Sequence, residues 1–269
     1  AACIRWFPER KGLVTGIAVA GFGGGSIILS EIGDVLIDRG MDVLLLFRYM
    51  GVVYTAVIIG AAALLFSPPR EEHHERVVAP SIRSAMGTRH FWLLSFGLFA
   101  GTFTGLLAIG NLKPIGLAGG ISDHLATLAI AALAVGNVSG RIGWGLLADR
   151  LGPRSLTLKL SWLSCAALLM IPASHHGLAF LLVAAAIGFG FGGCFVLYAA
   201  SVAHLFGPAA VTSIYPIVFL SYAVSGICGP TLGGWLYDTT GSYLPSLTAA
   251  CILAAVGAAV HRFAGQRSW

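Results

Sequence analysis

Arg141 stands inside an apolar run, in the stretch NVSGRIGWG from Asn137 to Gly145. A charged side chain at the centre of a bilayer costs roughly 2.5 kcal/mol or more, so one that persists there is a functional suspect by default. Gly136, Gly140, Gly143 and Gly145 leave a recess around it, and the planar guanidinium suits a carboxylate held by two hydrogen bonds. The chemistry this points to is recognition of a small organic anion. The alternative is snorkelling to the headgroups, because Asp149 at the end of the run lies eight residues on, only about 12 Å along a helix. Tyr198, Tyr222 and Ser225 are candidate hydroxyl contacts for the same ligand, with hydrogen bonding between helices as their alternative. Trp144 either walls the site or anchors at the interface.

The rest of the sequence supplies the bilayer. The 269 residues are 57% hydrophobic and 10% charged, with a mean hydropathy of +0.86, whereas soluble domains carry about 25% charged residues. The 36 glycines fit spanning helices whose backbones approach closely. The formal charge of +5 does not point to nucleic acid, because the basic residues sit in short connections between apolar runs. Cys3, Cys165, Cys194, Cys228 and Cys251 have no metal-ligand spacing and read as packing. No metal or cofactor is expected. His73 and His74 sit in a solvated segment and face different ways on a helix. Glu31, Asp34 and Asp38 read as a solvated helix end, and Asn111 with Lys113 as a surface cap or the lining of an outer entrance.

Eight runs are long enough to cross a hydrocarbon core about 30 Å thick. They cover Gly12–Ile37, Val43–Phe66, Phe91–Gly110, His124–Ala148, Leu156–Ile171, Leu178–Leu205, Val211–Tyr237 and Leu244–Val260. Sorting the connections by their Lys and Arg content puts twelve on one side, Arg5, Arg10, Lys11, Arg70, Arg76, Arg83, Arg89, Arg150, Arg154, Lys159, Arg262 and Arg267. Three, Arg39, Arg48 and Lys113, fall on the other. The positive-inside rule then puts both termini in the cytoplasm, as an even number of spans requires, with the plasma (inner) membrane as the expected location. The connection from Ser67 to His90 is the longest polar stretch, and Pro68-Pro69 stop the helix before it.

At an offset of 200 residues the sequence weakly resembles itself: Pro8 meets Pro208, Ile17 meets Ile217, Gly33 meets Gly233 and Asp38 meets Asp238. The first run thereby matches the seventh. Parallel six-helix repeats joined by a linker are a transporter architecture, and on that plan the first two runs close a bundle whose first four helices are absent. The start Ala1-Ala2-Cys3, without methionine, also suggests a fragment.

From Gly145 to Arg154 the chain reads GLLADRLGPR, which resembles the G-x-L-a-D-r-x-G-r-r signature of the major facilitator superfamily. Trp6 to Ser26, WFPERKGLVTGIAVAGFGGGS, and Gly229 to Tyr243, GPTLGGWLYDTTGSY, resemble its oxalate:formate antiporter-like branch, close to the monocarboxylate transporters. The resemblance implies an all-α polytopic membrane protein spanning the fifth to twelfth helices of such a fold. Residues 1–67 would be the end of the N-terminal bundle, 68–90 a cytoplasmic linker and 91–269 the complete C-terminal six-helix bundle. It implies that Gly145, Asp149, Arg150, Gly152 and Arg154 form a gating motif, and that Asn137, Ser139 and Arg141 lie where an arginine contacts the substrate carboxylate. Asp149 is expected at the positive end of the first helix, near Lys11 to Val14, with Arg150 or Arg154 bridging. The oxalate carriers have a lysine where this chain has Tyr222, and with Arg141 as the one intramembrane cation a monocarboxylate is the expected substrate, moved by uniport, proton symport or exchange.

Small residues four apart mark contact faces: Gly21/Gly25, Gly136/Gly140, Gly188/Gly192 and Ser225/Gly229/Gly233. The first and fourth runs are expected to pair, and the seventh to expose its small face for want of a partner. The fragment alone is not expected to transport. A membrane-embedded enzyme would need a nucleophile, metal cluster or acid/base pair at bilayer depth, and the runs carry none. A receptor-like or degenerate carrier would bind without flux.

Overall fold

The computed structural model describes residues 6–7, 9–64 and 80–265, the side chains of Lys11, Asp34 and residues 22–31 and 264–265 excepted. The side chains of Glu31 and Asp34, the His73-His74 pair, Pro8, Cys3, Pro68-Pro69 and most of the linker therefore lie outside the described residues.

The described residues fold into helices: α1 Lys11–Asp38, α2 Val43–Leu64, α3 Ile82–Met86, α4 Arg89–Ala118, α5 Asp123–Leu151, α6 Arg154–Ala173, α7 Gly177–Phe206, α8 Tyr215–Thr240 and α9 Leu244–Gly265, with a 3₁₀ turn at Pro208–Val211. Seven stretches among them are long and apolar enough to cross a membrane. An eighth crossing needs α1, whose 28 residues span about 42 Å. The chain is an all-helical, multi-pass membrane protein.

Local chemistry sets the helix ends. Thr88 caps α4 by accepting from Phe91 N at 3.3 Å, and Ser122 caps α5 through Leu125 N. The third run was expected to stop at Gly110, yet α4 passes through Pro114 to Ala118. Pro114 removes the donor for the Gly110 carbonyl, a loss that packed membrane helices tolerate. The helix stops instead before Gly120, whose φ is 86°.

Helices α4 to α9 enclose a core in which Leu98, Leu107, Leu160, Leu163, Phe180 and Ile187 are fully buried. Polar straps tie helix to helix, as they do where lipid is no worse a solvent than protein for apolar groups. Thr102 Oγ1 is 2.8 Å from Ser225 Oγ, Thr104 Oγ1 donates to Ala250 O at 3.1 Å and Ser164 Oγ to Cys251 O at 2.9 Å. Asn111 Nδ2 donates to Leu107 O and to Pro230 O, in room left by Gly233. Asn111 is thus an interhelical strap and not an entrance lining.

The small face of α8 is not exposed, contrary to expectation. Ser225, Gly229 and Gly233 are buried against α4, where Phe103 O and Leu107 N lie 3.1 Å from the place a Cβ on Gly229 would take. Four-residue spacing of small side chains marks a contact but does not say with which helix. The opposite stripe of α8, Leu220, Val224, Ile227 and Trp235, is exposed instead. Helix α2 buries Leu46 and exposes nearly all its other side chains.

Lys113 pairs with Asp123 at 2.8 Å across the α4–α5 turn, with side chains 37% and 72% exposed. Exposed pairs of this kind contribute little, so Lys113→Ala is expected to change stability by less than about 1 kcal/mol in thermal unfolding.

Candidate functional site

The site forms where α1, α5 and α7 cross. Gly16 brings α1 onto α5 at Arg141 itself, since a Cβ on Gly16 would overlap the Arg141 carbonyl. Gly136 and Gly140 of α5 interleave with Gly188 and Gly192 of α7, each glycine facing a backbone carbonyl of the other helix. This seam aligns three groups around one guanidinium.

Arg141 is 2% exposed and is aimed between helices, not at lipid. Its Nε donates to Asn137 Oδ1 at 3.2 Å, its Nη1 donates to Val19 O of α1, and its Cζ stands 4.7 Å from the centre of the Phe195 ring. The ring supplies a negative face to the cation. Phe195 is edge-on to Tyr222 at 5.6 Å, and Tyr222 stacks on Phe219 at 5.0 Å, so an aromatic wall from α7 and α8 backs the arginine. Asn137, Arg141 and Tyr222 are therefore brought together, and Phe195 is a member that sequence spacing did not single out.

The other expected contacts are elsewhere. Ser225 is taken up by Thr102, Phe99 O and Ser221 O in the α4–α8 strap. Tyr198 is fully buried on a different face of α7, near Lys159. Ser139 donates to Gly136 O on its own helix. Trp144 is 3% exposed and packs on Gly193 and Phe189, so it is neither an interfacial anchor nor a wall of this site.

Two turns along α5 the signature makes its own contact. Arg10, at the N-cap of α1, offers no side-chain cap, and the first-turn N–H groups have no partner within the helix. Asp149 supplies it from 137 residues away: Oδ1 accepts from Gly12 N at 2.7 Å and Oδ2 from Leu13 N at 2.9 Å. Gly145 makes the approach possible, because a Cβ there would meet the Gly12 carbonyl. Gly152 ends α5 at φ 54°, in the left-handed region that favours glycine. Arg150 and Arg154 are exposed and form no bridge to this contact among the described residues. A cavity of about 270 Å³ opens beside it, lined by Glu9, Asp149, Ser155, Ser201 and His204 among others.

The sequence profile of the Major Facilitator Superfamily matches residues 102–265, more than half of the chain. The chain belongs to the Major Facilitator Superfamily. Among its relatives are the oxalate:formate antiporter of Oxalobacter formigenes, 27% identical over 236 residues covering 85% of this chain and 56% of the relative. Mouse monocarboxylate transporter 11 is 27% identical over 264 residues, 90% of this chain and 57% of the relative. The chain thus spans little more than half the length of these relatives. The superfamily transporter FucP in its outward conformation shares the fold, with a TM-score of 0.67 at 16% identity over 94% of this chain and 68% of that one. Relatives and fold are those of transporters, not enzymes.

One cation of the superfamily chain does not lie where the charge count put it. Lys159, assigned to a cytoplasmic connection, is fully buried in α6, five residues past Arg154 and so about 7.5 Å along the helix. Arg141 is therefore not the sole intramembrane cation, and the inference from a single cation to a monocarboxylate loses that support. Cys194 is likewise more than packing, since its Sγ accepts from Lys159 Nζ at 3.3 Å.

Proposed function

We propose that this chain is part of a secondary carrier that moves small organic anions of the monocarboxylate class by alternating access, with Arg141 binding the substrate carboxylate. The observation that carries this is a guanidinium 2% exposed at a three-helix crossing, held by a side-chain amide, a helical carbonyl and an aromatic face. The interhelical acceptor, Val19 O, is one that a substrate oxygen can replace. Tyr222 and Asn137 complete the ligand set. The relatives named for oxalate, formate and monocarboxylates support an acid substrate. A proton or a counter-anion would travel with it.

On this reading residues 1–67 close an N-terminal bundle, 68–90 form the linker and 91–269 the C-terminal bundle, both termini facing the cytoplasm of a plasma-membrane carrier. Asp149 on Gly12 and Leu13 is the cytoplasmic latch of the Gly145, Asp149, Arg150, Gly152, Arg154 motif, and its two bonds break when that side opens. Half of any central site would come from helices that precede α1, so the 269 residues alone would bind weakly and not transport.

In a carrier of the relatives' length containing this chain, Arg141→Lys keeps the charge and loses the fork, and Arg141→Ala loses both. Hydrogen bonds to charged groups contribute about 1.5–3 kcal/mol and 1.4 kcal/mol is tenfold. Carboxylate uptake into vesicles should therefore fall about tenfold or more with lysine and further with alanine. Wild-type uptake by both variants would refute the assignment.

A further inference from the structure

A second polar cluster lies inside the α4–α9 bundle, and neither the anion site nor the latch uses it. Lys159 of α6, Cys194 and Tyr198 of α7 and His261 of α9 meet above Gly97 and Gly101 of α4. Lys159 Nζ reaches Cys194 Sγ and Tyr198 Oη, each at 3.3 Å, and stands 4.5 Å from the Tyr198 ring centre. Tyr198 packs edge-on to His261 with ring centres 6.4 Å apart. Lys159, Cys194 and Tyr198 are fully buried and His261 is 7% exposed.

Two features make this more than packing. The first is charge. Among the described residues the ion pair is Lys113 with Asp123, so no described carboxylate answers Lys159, whose partners are a thiol, a phenol and a ring face. A buried cation without a counter-charge is costly and is relieved by giving up its proton. The second is His261. Its Nδ1 lies 3.0 Å from Gly257 O, an acceptor only, so Nδ1 carries the hydrogen and Nε2 presents a lone pair. That Nε2 is buried and has no hydrogen-bond partner. It points to the same place as the phenol: Tyr198 Oη and His261 Nε2 lie 2.6 and 2.7 Å from the position of a Cβ on Gly97. Glycine at 97 and at 101, where a Cβ would stand 2.6 Å from Lys159 Nζ, leaves the room in which these groups converge.

We infer that Lys159, Cys194, Tyr198 and His261 form a proton-binding site that holds one exchangeable proton, distinct from the anion site at Arg141. Empty, the cluster is a neutral amine, thiol, phenol and imidazole. Taking one proton from water at the near end of the bundle gives a single cation, on Lys159 Nζ with its two acceptors and ring face, or on His261 Nε2. A second proton would place two cations side by side away from water, so the two nitrogens titrate as one coupled site. From α8, Tyr215 stands close enough to Cys194 for their charges to interact, its hydroxyl donating to Phe195 O at 3.3 Å. Arg141 is turned to Phe195, one residue and about 100° round the helix from Cys194. Helix α4 faces this core with Gly97, Gly101 and the apolar Phe91, Leu94 and Leu98, and α5 with Trp144. Such a site would give the carrier a proton to move or sense without occupying its anion site.

The chain has three lysines, Lys11, Lys113 and Lys159, so ¹⁵N-lysine and ¹⁵N-histidine spectra of the purified 269 residues in micelles resolve the site directly, with Lys159→Met assigning the resonance. Between pH 5 and 10 the Lys159 Nζ and His261 Nε2 signals should move in one shared step. His261→Gln should displace the Lys159 midpoint by about one pH unit or more, tenfold in proton affinity, and Arg141→Lys should leave it in place. Should His261→Gln not fold, Gly97→Ala, whose Cβ overlaps the His261 ring, must displace it too. Lys159 and His261 signals constant over the range, or titrating at midpoints that neither variant moves, would overturn the site.

Discussion

Gly188→Ala is expected to unseat the pairing of α5 with α7 and to lower the thermal midpoint of the purified chain by about 6–12 °C. One methyl suffices, because a Cβ at 188 would overlap the Leu133 carbonyl and stand 3.0 Å from Asn137 N. Both are backbone atoms of a rigid helix and cannot turn aside as a side-chain end would. Overpacking a tight contact costs about 1–3 kcal/mol and occasionally more. Here the cost falls at the upper end, because Gly136, Gly140 and Gly192 repeat the same contact along the seam, and parting the helices at one loosens all four. The same seam sets the distance from Arg141 to Phe195, so the variant should also weaken anion binding. Gly60→Ala is the control: a Cβ there meets nothing within 4 Å, and alanine is the better helix former, so stability should stay level or rise slightly. Equal midpoints for the two variants would contradict the seam.

The spans were legible in the sequence because hydropathy over some twenty residues is a one-dimensional property, and the largest boundary shift came at α4, which runs on through Pro114. Arg141 was legible as well, since a guanidinium among glycines and aliphatics has few places to go. The position of Asp149 followed from electrostatics, a carboxylate seeking uncapped N–H groups at a helix start. Lys159 was misread for a local reason: five residues after Arg154, it looks like one more headgroup-facing cation. The signal available was its neighbourhood, Leu156, Leu158 and Leu160, which belongs to a helix and not to a connection. Its meeting with Cys194, Tyr198 and His261 joins residues 35 to about 100 positions apart, and no spacing rule reports such a contact. Tyr198 and Ser225 were assigned to the ligand on the strength of a hydroxyl within a span, yet rotation about the helix decides where a hydroxyl points, and small moments in α7 and α8 leave that rotation unmarked. The same ambiguity hid the partner of the α8 small face.

Asp149→Ala should release the start of α1. Gly12 and Leu13 are first-turn amides with no acceptor in their own helix, and Arg10 offers none, so both depend on the two oxygens of Asp149. Hydrogen bonds to a charged acceptor contribute about 1.5 kcal/mol each at the low end, the end that applies because Asp149 is exposed, and the helix dipole adds a few tenths. Losing both amounts to roughly 3 kcal/mol, so amide hydrogen exchange over residues 10–16 should quicken about a hundredfold, while peptides from the α5–α7 seam keep their rates. Asp149→Asn retains one carbonyl oxygen and no charge, and its exchange should fall between wild type and alanine. On the proposed latch reading, the same substitutions in the longer carrier should bias its cytoplasmic side toward opening. Unchanged exchange in the alanine variant would mean that α1 is held by its glycines on α5 alone, and the latch would lose its physical basis.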